Sequence, residues 1–119
     1  MLFKMESEDT QKKIAQLQSL EQNLQNFLMQ KQTFQSQLIE IENALDEVEK
    51  SSGNVYKIVG SVMVSSKKDD VKKDLHDKKE VVSLRISNLE KQEEKIKDKA
   101  SKLQKEVLSE VGANRGEDA

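Results

Sequence analysis

Two long stretches of this chain, Met1 to Ser52 and Ser61 to Val111, contain neither glycine nor proline. In a helix interior Pro costs about 3 and Gly about 1 kcal/mol relative to Ala, so their absence removes the strongest local barriers to helix. Gly53 and Gly60 fall between the two stretches, and Gly112 and Gly116 follow the second. The pattern is that of two uninterrupted helices joined by a short element of another kind.

Apolar spacing supports this. In the first stretch one heptad series falls on Leu17, Leu24, Lys31, Leu38 and Leu45, and its companion on Leu20, Phe27, Phe34, Ile41 and Val48. Lys31 is the one interruption. In the second stretch Leu75, Val82, Leu89, Ile96 and Leu103 are all apolar, and the companion series Lys79, Ile86, Glu93, Ala100 and Val107 is patchier. Alternating steps of three and four over more than four heptads mark a coiled-coil seam. The predicted helices cover residues 8–51 and 69–111, each ~65 Å long at 1.5 Å per residue.

Between them, residues 54–65 change period from about 3.5 to 2. Val55, Tyr56, Ile58, Val62 and Val64 are good strand formers, and Gly60-Ser61 suits a two-residue hairpin turn. Ser65 or Ser66 is placed to cap the second helix, with Asp69 and Asp70 near its positive end. Folding the chain about Gly60 sets Leu17 opposite Leu103, Leu24 opposite Ile96, Lys31 opposite Leu89, Leu38 opposite Val82 and Leu45 opposite Leu75. The strongest series face each other without adjustment. The expected fold is mainly α: one domain over 1–119, a long antiparallel two-helix coiled coil with a single central β-hairpin, and a disordered polar tail at 112–119.

Composition limits what such a chain can do. A hydrophobic fraction of 34% with three Phe, one Tyr and no Trp is too lean for a compact globular core. Twenty basic against twenty-two acidic residues, interspersed, argue against a nucleic-acid surface. Without cysteine there is neither a disulfide framework nor thiolate chemistry, and no apolar run approaches the ~18 residues of a membrane span. The opening Met1-Leu2-Phe3-Lys4-Met5 is too short and too soon interrupted for a signal peptide. A cytoplasmic location is expected.

A lone hairpin is marginal in water, and its edges invite further strands. Val55, Tyr56, Ile58, Val62 and Val64 are therefore expected to be oligomerisation residues, pairing with equivalent hairpins to close an intersubunit β-barrel. The antiparallel geometry also brings Met1, Leu2, Phe3 and Met5 towards Val107, Leu108 and Val111. Adaptable apolar groups at such a tip suit promiscuous binding, although they also read as frayed helix ends.

The run SSGNVYKIVGSVMV (Ser51 to Val64), followed by RISNLEKQEEKIKDKASKLQKEV (Arg85 to Val107), resembles the β-type prefoldin subunits. The resemblance extends over roughly Gln11 to Val111 and is most specific at Asn54 to Val64; EKQEEKI, Glu90 to Ile96, is weaker. A single hairpin fits the β type, since α-type subunits have two. The resemblance implies a hexamer of two α-type and four β-type subunits, joined by a double β-barrel. It also implies ATP-independent holding of non-native polypeptides at the coiled-coil tips and delivery to a group II chaperonin. Carried onto this chain, it makes Met1, Leu2, Phe3, Met5, Leu108 and Val111 candidates for binding unfolded protein. The rival reading is a structural coiled-coil tether assembled through its hairpin.

Nothing points to catalysis, a cofactor or a metal. His76 stands without ligand-spaced companions. Lys67, Lys68, Lys72 and Lys73 alternate with Asp69, Asp70 and Asp74, as on a solvated helix face. Glu93 and Glu94 have no expected pocket to shift a carboxyl pKa, and Lys31, Lys79 and Glu93 read as register-setting interruptions of the seam.

Overall fold

A computed structural model describes the backbone over residues 8–118 and the side chains over 8–112. The order of elements is α1 (Glu8–Lys50), β1 (Val55–Val59), β2 (Val62–Ser66) and α2 (Lys68–Asp118). The chain divides into two compact units, Met1–Met29 with Leu89–Ala119 and Gln30–Asn88.

In the first unit the start of α1 runs antiparallel to the end of α2. Lys13, one turn beyond Thr10 on α1, reaches back to Glu106 as well as Glu110, whereas Thr10 meets Glu110. Leu17, Leu20, Leu24 and Phe27 are half-buried on one side. On the other, Leu89 and Glu93 are buried, and Ile96, Ala100, Leu103 and Val107 are half-buried.

The second unit repeats the arrangement and adds the hairpin. Leu45 and Val82 are buried, and Phe34, Leu38, Ile41, Val48, Leu75, Lys79 and Ile86 are half-buried. The Arg85 guanidinium lies 5.5 Å from the centre of the Phe34 ring, and Glu49 pairs with Lys72, so the helices are antiparallel here too. Every position of the four heptad series is thus buried or half-buried, as the spacing predicts. A seam two helices wide leaves most of its side chains partly wet. Each then gains only part of the ~1.5–3 kcal/mol that full burial of a large apolar side chain provides.

The termini of the helices differ in detail from expectation. Helix α2 continues past Val111, so the tail expected from residue 112 is helical backbone as far as Asp118. Each glycine costs a helix about 1 kcal/mol, and a 51-residue helix tolerates the two, Gly112 and Gly116, near its end. At its start, Val71 N–H donates to the Lys67 carbonyl at 3.1 Å, which puts Lys67 at the cap. Ser66 cannot serve there because it is paired with Val55 in the sheet.

The hairpin is a two-stranded antiparallel sheet with Val55 opposite Ser66, Tyr56 opposite Ser65, Lys57 opposite Val64, Ile58 opposite Met63 and Val59 opposite Val62. Gly60 has φ +62° while Ser61 has no positive φ, the signature of a type II′ turn. That turn matches the right-handed twist of the strands and fixes their register.

Candidate assembly and client-binding surfaces

Alternation along the strands divides the hairpin into two faces. Tyr56, Ile58, Met63 and Ser65 share one; Val55, Lys57, Val59, Val62, Val64 and Ser66 share the other. Tyr56, Ile58, Val62 and Val64, expected to mediate oligomerisation, are all exposed, and Val55 is half-buried where the hairpin meets the helices. Met63 and Val59 are equally exposed and were not among the residues singled out from sequence. The turn supplies the missing signal: once Gly60-Ser61 is the turn, Met63 must pair with Ile58.

Three lysines brace the neck beneath the hairpin. Lys68 Nζ donates to the carbonyls of Glu49 and Ser51, each at 3.1 Å, satisfying acceptors that the end of α1 leaves open. Lys72 pairs with the Glu49 carboxylate, and Lys57 Nζ on β1 lies 3.3 Å from Asp74 Oδ2 on α2. The hydrogen bond from Lys72 holds the Glu49 carboxyl below its ordinary range and the Lys72 ammonium above its own. The interleaved charges read from sequence as a solvated face thus tie the two helices and β1 together. Chain contacts across a reversal are not visible in local composition.

The helix ends of the first unit carry a second polar cluster. Thr10 is 1% exposed, and its hydroxyl donates to Glu110. Lys13 Nζ donates to Glu110 Oε1 at 2.5 Å and lies 3.5 Å from Glu106 Oε2. The Lys13 hydrogen bond, then the Thr10 one, lowers the Glu110 pKa, and Glu110 raises that of Lys13. Beside this cluster Leu108 is 65% exposed and Val111 is half-buried. Met1, Leu2, Phe3 and Met5, the other expected client contacts, lie outside the described residues.

His76 is exposed, and among the described residues no three His, Cys, Asp or Glu side chains are grouped to hold a metal. Glu94 is exposed as expected, but Glu93 is 7% exposed within the seam. The concavities along the helices are open grooves, such as the one of about 420 Å³ bordered by Ile41, Val81 and Val82 and by the charged Asp77, Lys78 and Arg85. No helix among the described residues is long and apolar enough to cross a membrane.

The same order of helices and hairpin occurs in a solved structure, and the sequence has relatives of similar length. Residues 11–114 match the family model described as prefoldin subunit. The prefoldin subunit beta of Archaeoglobus fulgidus is 37% identical over 105 residues, which cover 87% of this chain and 90% of that one. That of Methanospirillum hungatei is 33% identical over 115 residues, covering 95% and 96%. The crystal structure of the prefoldin beta subunit from Thermococcus strain KS-1 superposes with a TM-score of 0.85 at 35% identity, covering 90% of this chain and 96% of that one. With its two long helices, single hairpin and match along nearly the full length of these relatives, the chain belongs to the prefoldin subunit family of chaperones, as a β-type subunit.

Proposed function

We propose that this chain is a cytoplasmic, ATP-independent holder of non-native polypeptides. It assembles through its hairpin with an α-type prefoldin subunit, two α to four β, and passes clients to a group II chaperonin. The observation behind this reading is the exposure of Tyr56, Ile58 and Met63 together on one face of a sheet of two strands. Such a sheet is marginal alone, and apolar groups on it gain nothing until other strands cover them. Membership of the prefoldin subunit family supports other subunits of that family as the source of those strands.

Client contact is assigned to Leu108 and Val111 near the end of α2 and to Met1, Leu2, Phe3 and Met5, which precede α1 in the sequence. Each end offers little apolar area, so several subunits must grip one client together, and avidity replaces affinity. The assembly step is tested by the mass of the 13.6 kDa chain alone and after mixing with an α-type subunit. A chain that stays monomeric in both would remove the reading. Deleting residues 1–5 and 108–119 tests the client site. The assembled complex should stop suppressing aggregation of a denatured client; unchanged suppression would leave a tether assembled through its hairpin.

A further inference from the structure

The two faces of the hairpin differ in one respect that decides which of them can enter a dry interior. Tyr56, Ile58, Met63 and Ser65 present no charge, whereas the opposite face carries Lys57 at its middle, opposite Val64. The Lys57 ammonium is half-exposed and rests on Asp74 of α2, itself half-exposed. We propose that the Tyr56–Ile58–Met63 face turns into the shared interior when hairpins assemble, and that the Lys57 face stays outward against water and its own helix. This rests on the reading that assembly proceeds through the hairpin.

The occupant is the hairpin of another prefoldin subunit. Both strands have an edge with no neighbour in the sheet, and only a further strand can satisfy a row of backbone N–H and C=O groups. A strand added in that way sets its own side chains beside those already on the face, and further strands that close the sheet on itself enclose Ile58 and Met63. Charge excludes the opposite orientation. Turning Lys57 inward would strip water from its ammonium and break or bury its pair with Asp74, and an uncompensated buried charge is strongly destabilising. On the outer face, Val59, Val62 and Val64 can remain partly wet, as apolar groups on protein surfaces commonly do.

Two variants of the full chain separate the faces: Ile58→Glu and Val64→Glu. Both positions are exposed in the free chain, and far-UV circular dichroism of each free variant checks that its helices are intact. Each is titrated with a separately purified archaeal α-type prefoldin subunit, and complex formation is read by sedimentation. Ile58→Glu should raise the concentration for half-assembly by about 100-fold or more, because it places a charge in the interior. Val64→Glu, opposite Lys57, should shift it by less than about 3-fold. A large shift for Val64→Glu, alone or alongside Ile58→Glu, overturns the face assignment while leaving assembly through the hairpin standing. No shift for either variant overturns hairpin assembly, and the assignment with it.

Discussion

Thr10 and Glu110 share a hydrogen bond across 100 residues of sequence, and each lies equally far from Gly60. The α1–α2 pairs nearer the turn keep almost the same symmetry: Phe34 with Arg85, and Glu49 with Lys72. The strand pairing is centred between Gly60 and Ser61. Within each unit, the paired residues therefore lie nearly equally far in sequence from the two-residue turn.

The Thr10 hydroxyl is almost wholly shielded from water, so its loss should be felt. Replacing it by Val keeps the volume and removes the donor to Glu110. A net hydrogen bond of the usual strength corresponds to a fall in melting temperature of about 4–8 °C. Thermal denaturation of Thr10→Val beside the parent chain measures it, and an unchanged midpoint would show that Lys13 alone satisfies Glu110.

Stability should depend on pH at both extremes. The Glu110 and Glu49 carboxyls are held below their ordinary range, by Lys13 with Thr10 and by Lys72. Their contribution is present above the ordinary carboxylate pKa of about 4.3 and is lost as pH falls through the lowered values. Lys13 and Lys72 are raised, so theirs is present below about 10.4 and is lost as pH rises through the raised values. Partial exposure of these pairs makes both limbs shallow. In melting temperature against pH, Glu110→Gln should flatten the acid limb without abolishing it, since Glu49 still titrates.

What sequence alone revealed here was whatever repeats or punctuates. Leu17 through Leu103 could be placed on the seam because each residue is one of a periodic set, and the turn could be placed because Gly60 is isolated between two strand-forming runs. Lys57 with Asp74 and Thr10 with Glu110 are single pairings made by the fold, and no local pattern announces them. Glu93 is polar by composition yet buried by its place in the heptad. The serine cap failed because the ladder claimed Ser66, a competition that only the register reveals. Of the expected client residues, Leu108 and Val111 could be located, whereas Met1, Leu2, Phe3 and Met5 belong to residues not described.

Seam and surface leucines should separate cleanly. Leu45 is 8% exposed and Leu84 is 62% exposed. Truncating a buried leucine costs about 2–5 kcal/mol, and a seam only two helices wide can collapse around the gap, so Leu45→Ala should sit near the lower end. Leu84→Ala should change stability by no more than about 0.5 kcal/mol. Chemical denaturation of the assembled complex reads both. A comparable loss at Leu84 would mean that another subunit or a client covers it.

The turn offers the sharpest contrast between two glycines. At neither Gly53 nor Gly60 would an added Cβ meet any atom within 4 Å, so sterics with neighbours do not distinguish them. Backbone conformation does. Gly60 has φ +62°, where a β-branched side chain is strained, while Gly53 has no positive φ. Gly60→Val should therefore cost about 1–3 kcal/mol at the turn. The strand register depends on that turn, so the cost should appear as weakened assembly with an α-type subunit while the helical circular dichroism of the free chain stays intact. Gly53→Ala should leave assembly unchanged or improve stability by about 0.4–1 kcal/mol through reduced freedom of the unfolded chain. Equal assembly by both variants would show that the hairpin tolerates a remade turn, and the oligomer would then have to depend on the strand faces more than on their register.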